Sequence, residues 1–351
     1  MKAYEKNIRK VEPYVPGEQP QKKVIKLNTN ENPYPPAPKV AEVLADIDTD
    51  CLRLYPDPTA GSLVKALADY YKVDEDQVFV GVGSDDVLAM CFLTFFNSEK
   101  PVYFPDITYS FYKVWAELYK IPYECKALDE SFRIIPSDYY GENGGVIFPN
   151  PNAPTGLYEE PEVIEDIIAH NKDVIVIIDE AYVDFAGRSA MELIDKYDNL
   201  IVVQTFSKAR SMAGMRIGYA ISNPGLIRYL NDVKYSFNSY TMNRTSLLCG
   251  VAAVQEKAYF KECVHKIIET REWAKEELKS LGFSCLDSKA NFIFAMHPEY
   301  EAKELFEALK AHDIYVRYWE SRRIEQYLRI TVGTKEEMEE LFVFLRKYMK
   351  K

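Results

Sequence analysis

Two aliphatic runs, "DVIVIIDEAY" (173–182) and "NLIVVQTFSKA" (199–209), stay apolar until their last few residues. A strand with one face in water alternates polar and apolar side chains, whereas one that is apolar throughout must be covered on both faces. Around these runs, strand-like and helix-like segments alternate from about residue 60: "SLVKALADYYK", "QVFVGVG", "DDVLAMCFLTFF", "PVYFP", "YSFYKVWAELY", "GGVIFPNPN" and "PEVIEDIIAHN". Strand–helix alternation around doubly buried strands implies an α/β fold with a mainly parallel central sheet and helices on both sides.

The pattern changes at either end. The first 40 residues carry "VEPYVPGEQP" and "LNTNENPYPPAP". Proline lacks the donor that regular pairing needs, so this stretch reads as an extended arm. After about residue 250 a long charged amphipathic helix precedes "NFIFAMH", "EAKELFEALKAHD", "IYVRYWE", "YLRITVG" and a terminal helix, which reads as a smaller α+β lobe. No internal repeat is visible.

Charge narrows the function. With a formal net charge of −11 over 351 residues and no basic stripe, binding to nucleic acid or to an anionic membrane is not expected. An anionic ligand must be held by a few placed cations. Six scattered cysteines without a C-x-x-C pair fit reduced thiols in a cytoplasmic protein. The charged opening "MKAYEKNIRK" is unlike a secretory signal, and no aliphatic run is long enough to span a bilayer. The four histidines are far apart in sequence, so no metal centre is expected.

In open parallel sheets, ligands bind beyond the carboxyl ends of the strands. Those ends here read "GVGSDD", "PDITY", "PNPNAPTG", "DEAY" and "SKA". "GVGSDD" precedes a helix, so its backbone N–H groups can seat a phosphate, with Gly83 permitting close approach and Ser84 donating; an ordinary helix cap reads the same way. "DEAY" could close a magnesium site, but no P-loop accompanies it. Asp179 is therefore a buried carboxylate needing a partner, either a salt bridge or a protonated pyridine nitrogen. Lys208 follows the next buried strand, beside Thr205 and Ser207, and Arg216 lies eight residues on. A lysine of depressed pKa forms Schiff bases with carbonyl cofactors, and an acid on the ring nitrogen is its usual companion in pyridoxal phosphate chemistry. On this reading Lys208 holds the aldehyde, while Arg216, Ser84, Thr205 and Ser207 hold the phosphate.

These segments, together with "FPDITYSFY", "RLYPDP" and "SKARSMAGMRIGYA", resemble the aspartate-aminotransferase-like, fold-type I pyridoxal-phosphate enzymes. Among them the chain is most similar to the histidinol-phosphate aminotransferase group, from "LNTNENPY" to "LRITVGT". The resemblance implies a homodimer with shared sites and a chain divided into an arm (1–29), a large cofactor domain (51–249) and a small domain (30–50 with 250–351). It implies roles as well. Lys208 carries the cofactor, Asp179 faces the pyridine nitrogen, Tyr182 bonds the ring's phenolic oxygen, Tyr109 stacks on the ring, and Asp85 belongs to the phosphate seat. Tyr55 reaches the neighbouring subunit's cofactor phosphate. Arg329, which the strand pattern alone leaves equally readable as solvated, grips the substrate's carboxylate or phosphate, with Arg317 assisting and Tyr14 and Asn30 closing the site.

One position departs from the group's Asn-Asn-Pro-Thr-Gly. Ala153 stands where an asparagine usually contacts the phenolic oxygen, so either Asn152 supplies that contact or Tyr182 acts alone. The expected reaction is amino transfer from L-histidinol phosphate to 2-oxoglutarate. A threonine-phosphate decarboxylase or a broad aromatic aminotransferase is the alternative on the same scaffold. A pyridoxal-binding regulator would need a basic DNA-binding module, and a NAD enzyme a G-x-G-x-x-G turn; neither is present.

Overall fold

The computed structural model describes residues 2–350. In chain order its strands and helices are β1 (Ile25–Lys26), α1 (Pro38–Ala45), α2 (Gly61–Tyr71), β2 (Val78–Gly81), α3 (Ser84–Phe95), β3 (Val102–Pro105), α4 (Phe111–Tyr119), β4 (Tyr123–Lys126), β5 (Gly145–Pro149), α5 (Pro161–Ala169), β6 (Val176–Asp179), β7 (Leu200–Thr205) and β8 (Gly218–Ile221). There follow α6 (Pro224–Phe237), α7 (Arg244–Gln255), α8 (Lys257–Ser280), β9 (Ser284–Cys285), β10 (Phe292–Met296), α9 (Ala302–Ala311), β11 (Ile314–Tyr315), β12 (Arg317–Tyr318), β13 (Tyr327–Thr331) and α10 (Lys335–Tyr348).

The central sheet has seven strands in the order β2-β8-β7-β6-β5-β3-β4. Its core pairs are parallel, from β4 across to β7. β8 runs antiparallel to both β7 and β2, so it is the one reversed strand and the sheet is mainly, not wholly, parallel. The six co-directional strands put their carboxyl ends along one edge, where the "GVGSDD", "PDITY", "PNPNAPTG", "DEAY" and "SKA" tips gather.

Continuous apolarity in the central strands follows from the layering. On one face Val146, Phe148, Val176, Ile178 and Val202 pack with Ile164, Ile167 and Ile168 of α5. On the other, the intervening Ile147, Ile177, Ile201 and Val203 pack with Val87, Leu88 and Phe92 of α3 and Trp115 of α4. Alternate side chains of one strand thus enter two different cores. At about 25 cal/mol per Å² of apolar surface, each such side chain contributes roughly 1.5–3 kcal/mol.

A second, antiparallel sheet has the order β12-β13-β10-β9. Its buried face shares a core with Ile267 and Ala274 of α8, Leu305 of α9, and Leu341 and Phe342 of α10. The "IYVRYWE" run is split by the fully turned-in Val316: its first half, β11, pairs in parallel with β1, and its second half, β12, joins β13. The arm is thereby anchored to this lobe at residues 25–26. Further on, Ala37 and Val40 of the α1 region pack with α2 and α7 residues against β2 and β8. Among the described residues, no helix is long and apolar enough to cross a membrane.

Candidate active site

One cavity of about 380 Å³ opens at the carboxyl edge of the large sheet, roofed by the arm and by the second lobe. Its wall includes Tyr14, Asn30, Ser84, Asp85, Tyr109, Asp179, Tyr182, Thr205, Ser207, Lys208, Arg216, Arg317 and Arg329. Thirteen candidates scattered between residues 14 and 329 converge there: nine, from Ser84 to Arg216, come from the edge of the large sheet, and Tyr14, Asn30, Arg317 and Arg329 come from the arm and the second lobe.

Asp179 is the last residue of β6 and is 4% exposed. Its partners are a hydroxyl and a backbone N–H: Tyr112 Oη donates to Oδ2 at 2.9 Å and Ala181 N–H to Oδ1 at 3.2 Å. Burial outweighs both and pushes the carboxyl up to about 6. Such an acid calls for a positively charged partner in the cavity. Tyr112 was invisible to sequence reasoning, because a tyrosine inside an apolar helix reads as core; only the fold shows its hydroxyl beneath Asp179.

Lys208 follows β7, held where Asn32 Nδ2 donates to its carbonyl at 3.1 Å. Its Nζ donates to the Thr29 carbonyl at 3.1 Å and lies 5.8 Å from the Tyr182 ring centre. Burial first, and the positive charge of Arg329 second, lower its pKa to about 8. An amine in that range exists partly as the free base near neutral pH, which is the condition for nucleophilic and acid–base work.

At the helix α3 N-terminus, Gly83 has φ +85°, and a Cβ there would meet Arg216 Nη2 at 2.5 Å. Only glycine suits both the backbone and the approach of the guanidinium. Arg216, itself left-handed at φ 53°, bonds the Asp85 carboxylate from Nη2 at 3.1 Å. Asp85 also accepts from Tyr109 Oη at 2.7 Å. Its side chain therefore orients a ring and a cation, while the helix N-terminus and the Thr205–Ser207 hydroxyl pair, 3.0 Å apart, face the same space. Backbone N–H groups, hydroxyls and an arginine together make a seat for a phosphate.

The opposite wall is cationic. Arg329 Nη2 donates to the Asn28 carbonyl at 2.9 Å, and its buried Nε has no hydrogen-bond partner among the described residues. Trp319 lies between the two arginines, 5.1 Å from Arg329 and 5.4 Å from Arg317. Arg317 bonds the Val15 carbonyl of the arm at 3.2 Å. A buried guanidinium with an idle donor is arranged for an anion. Strand alternation had left Arg329 equally readable as solvated; the arm and Trp319, which enclose it, come from elsewhere in the chain.

Gly83 lies against Arg216 without itself lining the cavity, and two further candidates lie apart from it. Tyr55 is 79% exposed and stacks on Tyr240 at 4.6 Å. Asn152 is committed to its own loop: Nδ2 donates to Ile107 O and Thr155 Oγ1, both at 3.0 Å, and Oδ1 accepts from Thr108 Oγ1 at 3.2 Å. Ala153, not Asn152, lines the cavity.

Residues 22–345 match the family aminotransferase class I and II, so the chain is a member of the class I/II aminotransferases and carries their fold. The histidinol-phosphate aminotransferase of Clostridium botulinum (strain Okra) is 50% identical over 352 residues, spanning 100% of this chain and 99% of the relative. That of Lactococcus lactis is 50% identical over 349 residues, spanning 99% and 98%. The chain belongs to the histidinol-phosphate aminotransferase family. Solved structures agree on the fold. The enzyme of that name from Sinorhizobium meliloti, in complex with pyridoxal-5'-phosphate, superposes with a TM-score of 0.85 at 23% identity, covering 93% of this chain and 91% of that one. L-threonine-O-3-phosphate decarboxylase from Porphyromonas gingivalis gives 0.78 at 20% identity, covering 93% and 99%.

Proposed function

We propose that the protein is a pyridoxal-phosphate-dependent transaminase that moves the amino group of L-histidinol phosphate to 2-oxoglutarate, giving imidazole-acetol phosphate and L-glutamate. The observation that carries this is that one cavity of about 380 Å³ is lined by the Lys208 amine, the buried Asp179 carboxyl, Tyr182, the helix N-terminus at Ser84 with Arg216, and Arg329, with burial lowering the amine and raising the carboxyl. That donor set fits a ligand with an aldehyde, a ring nitrogen that takes a proton, and a phosphate. Lys208 would hold the aldehyde, Asp179 the ring nitrogen, Tyr182 the phenolic oxygen, and Ser84, Thr205, Ser207, Arg216 and the first-turn backbone N–H of Asp85 the phosphate. When bound, the cofactor supplies an electron sink for the pair left at the substrate carbon on deprotonation.

Each residue then has a task. The Lys208 amine would hold the cofactor's aldehyde and, when free, would take the proton from the substrate carbon as general base and give it back as general acid. Asp179 keeps the ring nitrogen protonated, because a carboxylate in this buried setting favours a cation next to it. Tyr109, tied to Asp85, fixes the plane of the ring. Arg329 and Arg317 grip whichever anion is present, the phosphate of the donor or a carboxylate of the acceptor, since a guanidinium fork suits both. Tyr14, stacked on Phe111 at 4.2 Å, shields that side from water.

The same reading gives the assembly. Tyr55 points away from its own cavity, with exposed Leu52, Leu54, Phe237 and Leu248 also on the surface, and a second copy would bring Tyr55 to the neighbouring phosphate. The free cysteines suit the cytoplasm. A donor panel tests the substrate: histidinol phosphate, phenylalanine, tyrosine and threonine phosphate, each with 2-oxoglutarate. Histidinol phosphate should exceed phenylalanine and tyrosine, which lack a phosphate, in kcat/KM by about 100-fold, the worth of a well-held phosphate, and should also be preferred to threonine phosphate. Release of CO₂ from threonine phosphate, or a preference for phenylalanine, would overturn the assignment.

A further inference from the structure

Asn30 Nδ2 donates to the Tyr182 hydroxyl oxygen at 2.9 Å. The amide is held from behind as well. Its Oδ1 accepts from Thr331 Oγ1 at 3.0 Å, its own backbone N–H donates to that same oxygen at 3.0 Å, and Asn291 Nδ2 donates to its carbonyl at 2.9 Å. Asn30 is 1% exposed and left-handed at φ 58°. Turning the amide over would leave the buried Thr331 hydroxyl proton without its acceptor, so the arrangement has one sense.

That sense matters for Tyr182. A phenol has one proton to give and room to accept. With Asn30 filling an acceptor position, the Tyr182 proton is left to the cavity, which its side chain lines. Asn152 is spent on Ile107 and Thr155, and position 153 offers only a methyl group. Tyr182 is therefore the one side chain of this set left to donate to a phenolic oxygen in the cavity.

We propose that Asn30 is a positioning residue that aims the Tyr182 proton at the cofactor's phenolic oxygen and so takes over the work of the amide missing at position 153. The inference rests on the functional reading above and assigns Asn30 a part beyond closing the substrate site. Thr331 locks the amide, and it lies two residues from Arg329 on the same face of β13. The strand that carries the anion-gripping arginine thus also sets the hydrogen bond to the cofactor.

The test is a pH titration of the visible absorbance of the purified, cofactor-loaded protein. A donor to the anionic oxygen favours the deprotonated form and lowers the midpoint. Asn30→Gly removes the amide while tolerating positive φ. It should raise the midpoint by about half a pH unit or more, a hydrogen-bond-sized effect, and lower kcat about tenfold with KM for 2-oxoglutarate little changed. Thr331→Val, which keeps Asn30 but frees its amide, should move the midpoint in the same direction by less. Adding Ala153→Asn to Asn30→Gly should return it most of the way. An unmoved midpoint in both single variants, or no recovery on restoring an asparagine at 153, overturns the proposal. The wild-type band separates this from the broader reading: its absence would overturn the cofactor assignment itself.

Discussion

Tyr112 and Asp179 share one hydrogen bond, Oη to Oδ2 at 2.9 Å, with both side chains buried under the cavity. The hydroxyl stabilises the ionised carboxylate against burial, which otherwise raises the acid further. Tyr112→Phe keeps the ring and removes that donor. The carboxyl pKa then rises, and because Asp179 works as the anion, the acid limb of the pH profile of kcat should move to higher pH by about half a unit to one unit. The loss at neutral pH should be about tenfold. A limb that stays in place would mean Tyr112 only fills space.

Lys208 makes a prediction about stability rather than rate. In the cofactor-free fold its amine titrates near 8, whereas an unfolded lysine titrates near 10.5. Between those values the unfolded chain binds more protons, so stability should rise with pH from about 8 to about 10.5, and below 8 the cost of the buried charge is present in full. Lys208→Met removes it. The cofactor-free variant should be about 2 kcal/mol more stable than wild type at pH 7, a figure reduced from the full shift because the cavity is open to water. That gain should fade above pH 8. Urea melts across pH 6–10.5 check this, and the same variant should show no turnover.

Arg329 acts on two things at once. Its idle Nε and its burial suit a substrate anion, and its charge is the second cause of the low Lys208 pKa. Arg329→Gln should lower kcat/KM for both substrates by about 100-fold, mostly through KM. It should also raise the Lys208 pKa. The rate at which cofactor-free protein takes up pyridoxal phosphate, which needs the free amine, should then reach its half-point at a higher pH than in wild type. An unchanged uptake profile would separate the arginine from the lysine.

The chemistry at the strand tips was legible because its rules are local. Asp179, Lys208 and Ser84 each end a doubly buried strand or begin a helix, and such positions are fixed by pattern alone. β8 was readable as a strand but not as a reversed one, since reversal depends on a pairing partner and not on the run "GYAI". The short exposed strand β4, "YECK", carries no apolar signal because it lies at the sheet edge. Helix α7 gives a weak periodic signal for a related reason: it buries small side chains such as Cys249, Gly250 and Ala253. What stayed hidden at the site was every contact made across long stretches of chain. Tyr112 beneath Asp179, Asn30 against Tyr182, and the turn that directs Asn152 away from the cavity all depend on tertiary placement.

Tyr55 is the remaining candidate, and its exposed ring, stacked on Tyr240 with its carbonyl bonded by Arg244 Nη2 at 3.2 Å, has no part in its own cavity. If a second copy covers this face, two variants should part company. Leu248→Glu places a charge on an exposed apolar position four residues along α7 from Arg244, and burying it unpaired costs several kcal/mol. Sedimentation should show the wild type at twice the chain mass and this variant at one, with cofactor lost on dialysis. Tyr55→Phe should keep the double mass but weaken cofactor binding about tenfold, the worth of one hydrogen bond to a charged group. Equal cofactor affinity in Tyr55→Phe and wild type would remove Tyr55 from the phosphate seat, and a wild type that sediments as a single chain would remove the shared site.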